Sequence, residues 1–74
     1  DIGARAEIYD RLRALADAGL SIIFYSTDLE EVLDFADRVV TVFKGRIVRD
    51  APRPQFDSEN LLHDIVHGPD RSAA

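Results

Sequence analysis

A hydroxyl-rich step, Ser26-Thr27-Asp28, directly follows the apolar run LSIIFY at residues 20–25. If that run is a buried strand, the step lies at its carboxyl end, where open α/β sheets bind their ligands. A hydroxyl at this point can contact a phosphate or position a water molecule. The same residues also suit a turn in which Asp28 caps the next helix, and the residues alone leave both interpretations open.

Two other groups of side chains have the chemistry of metal ligands but lack the pattern of a metal site. His63 and His67 are four residues apart, as paired zinc ligands often are, but the chain has no cysteine and no third histidine. We interpret them as surface histidines. A carboxylate group without EF-hand spacing is interpreted as a solvated face whose charge suits a helix N-terminus. Its members are Asp28, Glu30, Glu31, Asp34 and Asp37. No metal site is predicted.

The elements that must position the hydroxyl step are a helix, a strand and a second helix. Residues 2–18 carry apolar side chains at helical spacing, and Gly19 suits the C-terminal cap. Residues 20–25 are apolar almost throughout, as in a strand buried on both faces of a parallel sheet. Asp28 and Glu31 have the spacing of a capping box, which predicts that a second helix begins there.

The remainder of the chain predicts a hairpin and a last helix. Residues 38–43 read as a strand, Lys44-Gly45 as a two-residue turn, and residues 46–49 as the returning strand. Because twelve residues separate positions 25 and 38, a helical crossover between parallel strands is possible. The predicted fold class is therefore α/β, with a β-α-β parallel core, an edge hairpin and flanking helices.

The C-terminal third is predicted to leave the sheet and end in a helix. Residues 51–56 contain two prolines and are expected not to continue the ladder. Asp57 or Ser58 caps the helix, and Gly68 ends it. Its expected apolar face consists of Leu61, Leu62, Ile65 and Val66. Residues 69–74 are expected to form a mobile tail.

Charge, length and absent motifs limit the kinds of partner and active site that the chain could have. The 74 residues carry a net charge of −5, which disfavours nonspecific binding to nucleic acid or anionic lipid. Glycine-rich phosphate loops, GxSxG elbows and HExxH motifs are absent from the sequence. A chain of this length supports only a marginal core, and its first residue is Asp rather than Met. We therefore expect a piece of a larger protein.

The order of the motifs resembles the ATP-binding cassette (ABC) ATPases, and within them the monosaccharide importers. DIGARAEIY at residues 1–9 is similar to the segment after the Walker B strand, and STDLEEV at 26–32 to the switch segment. ADRVV at 36–40, GRIV at 45–48 and SENLL at 58–62 are similar to the following signatures in order. The resemblance implies that residues 1–68 are the C-terminal part of a P-loop (RecA-like) nucleotide-binding domain.

The resemblance also implies roles for individual residues. Asp1 falls on the D-loop aspartate, which reaches across the dimer interface to the opposite ATP site. Thr27 falls on the switch histidine that senses the γ-phosphate, and Ser26 and Thr27 would be its nucleotide-side contacts. A threonine hydroxyl can donate one hydrogen bond but has no titratable imidazole. In having threonine rather than histidine at this position, the sequence resembles sugar-importer cassettes that carry Ser or Thr there.

The parent protein implied by this resemblance binds ATP and Mg²⁺ and energises sugar import. Its implied partners are a second cassette, the membrane-spanning permease subunits and, indirectly, a sugar-binding protein, at the cytoplasmic face of the membrane. Walker A, the signature motif and Walker B are not among these 74 residues. We therefore expect the isolated chain to bind no cofactor tightly and to hydrolyse no ATP.

Two other functions stay open. The parent cassette could be a degenerate, non-hydrolysing partner with a structural or allosteric role, which the threonine at position 27 favours. Alternatively, a small acidic α/β module could bind a protein partner through the exposed edge of the strand at residues 46–49. The second alternative does not account for the order of the motifs.

Overall fold

The computed structural model describes residues 2–69, except for the side chain of Ile2. Its elements are helix α1 (Ile2–Asp17), helix α2 (Leu29–Phe35), strand β1 (Arg38–Phe43), strand β2 (Arg46–Pro52), a 3-10 turn (Arg53–Gln55) and helix α3 (Ser58–His67). The three predicted helices and the hairpin are all present. Asp1 and residues 70–74, most of the expected tail, lie outside the described residues.

The hairpin is the regular centre of the molecule. β1 and β2 pair in antiparallel fashion, and the turn residues Lys44 and Gly45 have φ of 50° and 78°. Positive φ at both positions matches the right-handed twist of the strands, and glycine adopts it without steric cost. Thr41 pairs with Arg49 whereas Val42 pairs with Ile47. The strand β2 therefore carries one extra residue, a bulge, at this point.

The returning strand is longer than predicted. The expectation that residues 51–56 leave the ladder is wrong for the first two, because Ala51 pairs with Val39 and Pro52 with Arg38. A proline cannot donate a ladder hydrogen bond, but it can stand at the end of an edge strand. The strand extends to this point because the Ala51 side chain is buried in the hydrophobic core.

The predicted strand at residues 20–25 is not present as a strand. These residues have no regular secondary structure, and the sheet among residues 2–69 has only the two antiparallel strands. Burial still alternates: Ile22 and Phe24 are half-buried, whereas Ile23 is 98% and Tyr25 99% exposed. A strand needs a neighbour for its main-chain groups. The predicted parallel β-α-β core is therefore absent, since no described strand pairs with this segment.

A small core lies between the hairpin and the helices. Its buried members are Val39, Ala51, Phe56 and Leu61, and α2 packs against them through its half-buried apolar residues and Ala36. The face that α3 turns inward differs from the predicted one. Leu61 and Asp64 are buried, whereas Leu62, Ile65 and Val66 remain substantially exposed.

Helix α1 contacts α2 and Asp37, which lies just before β1. The Tyr9 and Phe35 rings stack with centroids 4.5 Å apart, and Phe24 meets Phe35 edge-on at 5.4 Å. Arg13 pairs with Asp37 at 2.9 Å and also donates to the Phe35 carbonyl at 2.8 Å. The helices described for residues 2–69 are too short or too polar to span a bilayer.

An open groove separates the 20–26 segment from β1. It has a volume of about 720 Å³ and is lined by side chains of that segment, of β1 and of α3. Apolar side chains such as Val40, Val42 and Ile65, all substantially exposed, face this region. The sheet therefore presents apolar surface that the described residues do not cover.

Candidate functional site

The hydroxyl step lies between the 20–25 segment and the start of α2. Thr27 forms a bend with an exposed side chain, whereas Ser26 is half-buried. Thr27 is exposed, and no hydrogen bond joins its side chain to another residue in the 2–69 range. Asp1, the second predicted site residue, is outside the described residues, and the structure does not show its relation to Thr27.

Turn chemistry holds the backbone on both sides of Thr27. Asp28 is the N-cap of α2, and its side chain accepts from the backbone N–H of Glu30 at 3.1 Å and of Glu31 at 3.4 Å. The Asp28 N–H donates to the Ser26 Oγ at 2.9 Å. The capping interpretation of Asp28 is thus confirmed. Both residues beside Thr27 make hydrogen bonds within the turn, whereas the Thr27 side chain makes none there.

The predicted capping box of α2 is incomplete, because Glu31 points elsewhere. Its side chain is only 15% exposed, and its carboxylate lies 3.6 Å from the Arg5 guanidinium on α1. Since Ser26 Oγ already takes the Asp28 N–H, Glu31 has no role in satisfying that donor. The complete capping box is in α3, where Asp57 and Asn60 bond reciprocally.

The electrostatics of this cluster follow from its hydrogen bonds. The hydroxyls of Ser26 and then Tyr9 lower the pKa of Glu31 below its usual 4.5, and nearby Arg5 acts in the same direction. The reciprocal effect raises the pKa of Tyr9 above its usual 10.0, mainly because its hydroxyl bonds to the Glu31 carboxylate. Glu31 is therefore a carboxylate at neutral pH, and Tyr9 a neutral donor.

The site has one exposed threonine, whereas a Mg·ATP site also needs a group of metal ligands and a loop that holds the phosphates. Residues 2–69 contain no group of three or more carboxylate, histidine or cysteine side chains that could hold a metal. The sequence also has no glycine-rich loop with a lysine for the phosphates. The residues present thus do not fit a Mg·ATP site on their own.

The other candidate groups occupy separate places. His63 and His67 lie on exposed positions of α3 with ring centroids 5.0 Å apart. The carboxylate group divides among a helix cap and ion pairs: Asp28 and Glu31 face Arg5, and Asp37 faces Arg13. This distribution supports the solvated, charge-complementing interpretation for Asp28 and Asp37, whereas Glu31 is only 15% exposed.

Sequence reasoning missed Tyr9 and Arg5 as neighbours of the step. Their signal was their own spacing, since residues four apart share one face of α1. A buried polar cluster was also missed. Asp64 is 1% exposed, accepts from the Thr41 hydroxyl at 3.0 Å and pairs with the Arg49 Nε at 2.9 Å. Its signal was a carboxylate three residues after Leu61 on the apolar stripe of α3.

Three known proteins similar to this chain are all named as sugar import ATP-binding proteins. The chain is 39% identical over 74 residues to the arabinose import ATP-binding protein of Rhizobium etli, covering 100% of this chain and 14% of that protein. It is 44% identical over 62 residues to ribose import ATP-binding protein 1 of Rhizobium johnstonii, covering 84% of this chain and 12% of that protein. A ribose import ATP-binding protein of Streptococcus agalactiae is 39% identical over 68 residues, covering 92% of the chain and 14% of the relative.

The chain spans only about one seventh of the length of these relatives. Neither a protein-family model nor a solved structure matches it. The relatives nevertheless agree with one another, because each is named as a sugar import ATP-binding protein. The chain is therefore similar over most or all of its length to arabinose and ribose import ATP-binding proteins, and the resemblance inferred from its motifs is confirmed.

Proposed function

We propose that these residues form part of the ATP-binding, ATP-hydrolysing subunit that energises sugar import. The observation that carries the proposal is the alignment of all 74 residues with an arabinose import ATP-binding protein at 39% identity. In this proposal residues 1–68 are the C-terminal portion of a P-loop nucleotide-binding domain. ATP and Mg²⁺ are bound chiefly by residues of the parent protein outside this chain.

The proposed role of Thr27 is a hydrogen bond on the γ-phosphate side of the nucleotide. Support comes from its exposed hydroxyl and from the turn that holds both neighbours. Ser26 is proposed to contribute mainly by shaping this turn, since its Oγ accepts the Asp28 N–H. Asp1 is proposed as a D-loop residue at the interface between cassettes.

The proposed partners follow from the same assignment. They are a second cassette, the permease subunits in the membrane and, indirectly, a sugar-binding protein, with the subunit peripheral to the cytoplasmic face. The uncovered apolar surface supports a place inside a larger protein, because Ile23 and Tyr25 are almost fully exposed. This surface disfavours the alternative of a self-sufficient protein-interaction module.

A degenerate, non-hydrolysing cassette is the second candidate function. It is favoured by threonine at the switch position, because a threonine hydroxyl can donate a hydrogen bond but cannot take up a proton as imidazole does. Both candidates place Thr27 beside the nucleotide. They differ in whether the site turns ATP over.

A chimaera tests the assignment. These 74 residues would replace the aligned segment of the Rhizobium etli arabinose import ATP-binding protein, and ATP hydrolysis and arabinose uptake would be measured. We expect both to be retained. We expect Thr27→Ala to lower kcat about tenfold, the effect of losing one hydrogen bond to a charged group. Ser58→Ala, which removes another exposed hydroxyl at the start of α3, should leave kcat unchanged.

The two candidate functions predict different results in that chimaera. A degenerate site binds ATP without hydrolysing it, and Thr27→His should then raise the rate. A folded chimaera that neither binds nor hydrolyses ATP contradicts the whole assignment. For the isolated chain we expect no Mg-dependent nucleotide binding in a titration, and micromolar affinity would overturn that expectation.

A further inference from the structure

The C-terminal half of α3 carries two imidazole side chains on one face. His63 and His67 are four residues apart in the helix, and their ring centroids lie 5.0 Å apart with the ring planes tilted by 38°. Both side chains are exposed, and no hydrogen bond joins either of them to another residue in the 2–69 range. Their ring nitrogens are therefore accessible to a ligand from solution.

The distance between the two rings suits a shared metal ion. A Zn–N bond is about 2.0–2.1 Å long and a ring nitrogen lies about 1.2 Å from its ring centroid, so two imidazoles on one tetrahedral ion have centroids about 5 Å apart. The observed separation of 5.0 Å is close to this value. Residue spacing alone did not predict a metal site, because it leaves both the separation and the exposure of the rings undetermined.

The opposite face of α3 is fixed to the sheet, which holds the backbone of the histidine pair in place. Leu61 is 2% and Asp64 1% exposed, and the Asp64 carboxylate pairs with the Arg49 Nε at 2.9 Å. The Gly68 N–H donates to the Asp64 carbonyl at 3.1 Å and completes the last helical turn. Because this backbone is already ordered, binding of an ion costs little conformational entropy.

The electrostatics around the pair favour a cation. The C-terminal end of a helix carries partial negative charge, and the pair lies toward that end of α3. Glu59, one turn before His63, lines the same surface hollow as His63. The chain as a whole has a net charge of −5. These charges attract a divalent cation and disfavour an anion at this face.

We propose that His63 and His67 form a surface binding site for a divalent transition-metal ion such as Zn²⁺ or Cu²⁺. The two imidazoles supply two ligands and water molecules the others, since residues 2–69 contain no group of three metal-binding side chains. Imidazole suits Zn²⁺, Cu²⁺ and Ni²⁺, whereas Mg²⁺ prefers oxygen ligands. The inference does not depend on the proposed function.

The test is a calorimetric titration of the 74-residue chain with Zn²⁺ and, separately, with Cu²⁺. Zinc sites with four protein ligands bind very tightly, so for two ligands we expect a dissociation constant on the order of 10 μM for Zn²⁺ and a lower one for Cu²⁺. His63→Ala and His67→Ala should each weaken binding about tenfold or more, because a single imidazole cannot chelate. Mg²⁺ should not compete with Zn²⁺.

A matched control keeps two histidines but separates them. The double variant Ile65→His/His67→Ala has its imidazoles two residues apart, where the side chains of a helix do not face each other. We expect it to bind Zn²⁺ as weakly as His67→Ala does, with its helix content unchanged by circular dichroism.

Either of two results overturns the inference. One is equal Zn²⁺ affinity in the control and the unaltered chain, and the other is a dissociation constant above about 1 mM for the unaltered chain. The second result counts even if α3 is not formed in that sample, because an ion chelated across one helical turn would itself stabilise the helix.

Discussion

The hairpin half of the molecule and the α1 half differ in how far their apolar side chains are buried. Residues 38–68 contain the whole buried core, with Val39, Ala51, Phe56 and Leu61 packed together. In residues 3–27 the large apolar side chains are half-buried at most, and Ile23 and Tyr25 are almost fully exposed. The difference teaches that the hairpin half forms a buried core with support from α2, whereas no apolar side chain described in the α1 half is buried.

The two halves also differ in whether their strand-like segments have a partner strand. β1 and β2 are joined by a two-residue turn, so each strand has its partner within a few residues. A parallel strand has no such local partner, since its neighbour must come from a distant part of the chain. Residues 20–25 have the composition of such a strand, but no described strand pairs with them.

The largest expected effect is on the hairpin core. Phe56→Ala removes a buried ring that packs with Ala51 and lies under the Arg49 guanidinium, 5.6 Å from its centroid. We expect the free energy of unfolding to fall by about 4 kcal/mol, as for other buried aromatic truncations. Urea unfolding of the chain, followed by circular dichroism, measures it. A loss below 1 kcal/mol would show that the core does not hold this half together.

The next effect concerns the buried carboxylate of α3. Asp64→Ala leaves the Thr41 hydroxyl and Arg49 without their common acceptor. We expect a loss of about 3 kcal/mol, because removing one partner of a buried pair leaves the others uncompensated. Thr41→Val, which removes only one donor, should cost about 1 kcal/mol. Asp34→Ala, at an exposed position of α2, is the control, and a loss equal to that of Asp64→Ala would contradict the argument.

A smaller effect is expected where the two halves meet, at Glu31. Its folded pKa is lowered by Ser26 and then Tyr9, so its contribution to stability is present above the unfolded pKa and is lost as the pH falls through the folded pKa. Carbon-13 NMR of the side-chain carboxyl should give a midpoint below 4.5. Tyr9→Phe should move that midpoint upward. A midpoint unchanged by Tyr9→Phe would argue against the contact.

The smallest effect is expected at Ile23. Because its side chain is 98% exposed, Ile23→Ala should change the unfolding free energy of the chain by less than about 0.5 kcal/mol. In the arabinose-importer chimaera the same substitution should cost about 2 kcal/mol, since we expect the larger protein to cover this residue. Equal small effects in both proteins would mean that the α1 half needs no outside surface.

Local signals predicted much of this fold. Helical spacing located α1, the aspartate caps located α2 and α3, and Lys44-Gly45 located the hairpin. Each of these depends on interactions within a few residues. The length of β2 was predicted less well, because the burial of Ala51 against Val39 outweighed the expected disruption by proline.

The candidate site was predicted in part. Ser26, Thr27 and Asp28 follow from the junction of an apolar run and a helix cap, and Asp28 does cap α2. The contacts of Glu31 did not follow, since its spacing from Asp28 suggested a reciprocal cap. The stack of Tyr9 on Phe35 brings α1 close to α2, and the Arg5 guanidinium of α1 then lies 3.6 Å from the Glu31 carboxylate.

The sequence by itself determined the helices, their caps, the hairpin turn and the resemblance to sugar import ATP-binding proteins, because all four depend on short motifs and on their order. Only the tertiary structure decided which apolar residues are buried, that Asp64 is an internal acceptor and that Glu31 turns toward α1. Those outcomes depend on which distant groups approach one another. For residues 20–25 the same dependence explains why strand-like composition did not produce a strand: the pairing partner is not among the described residues.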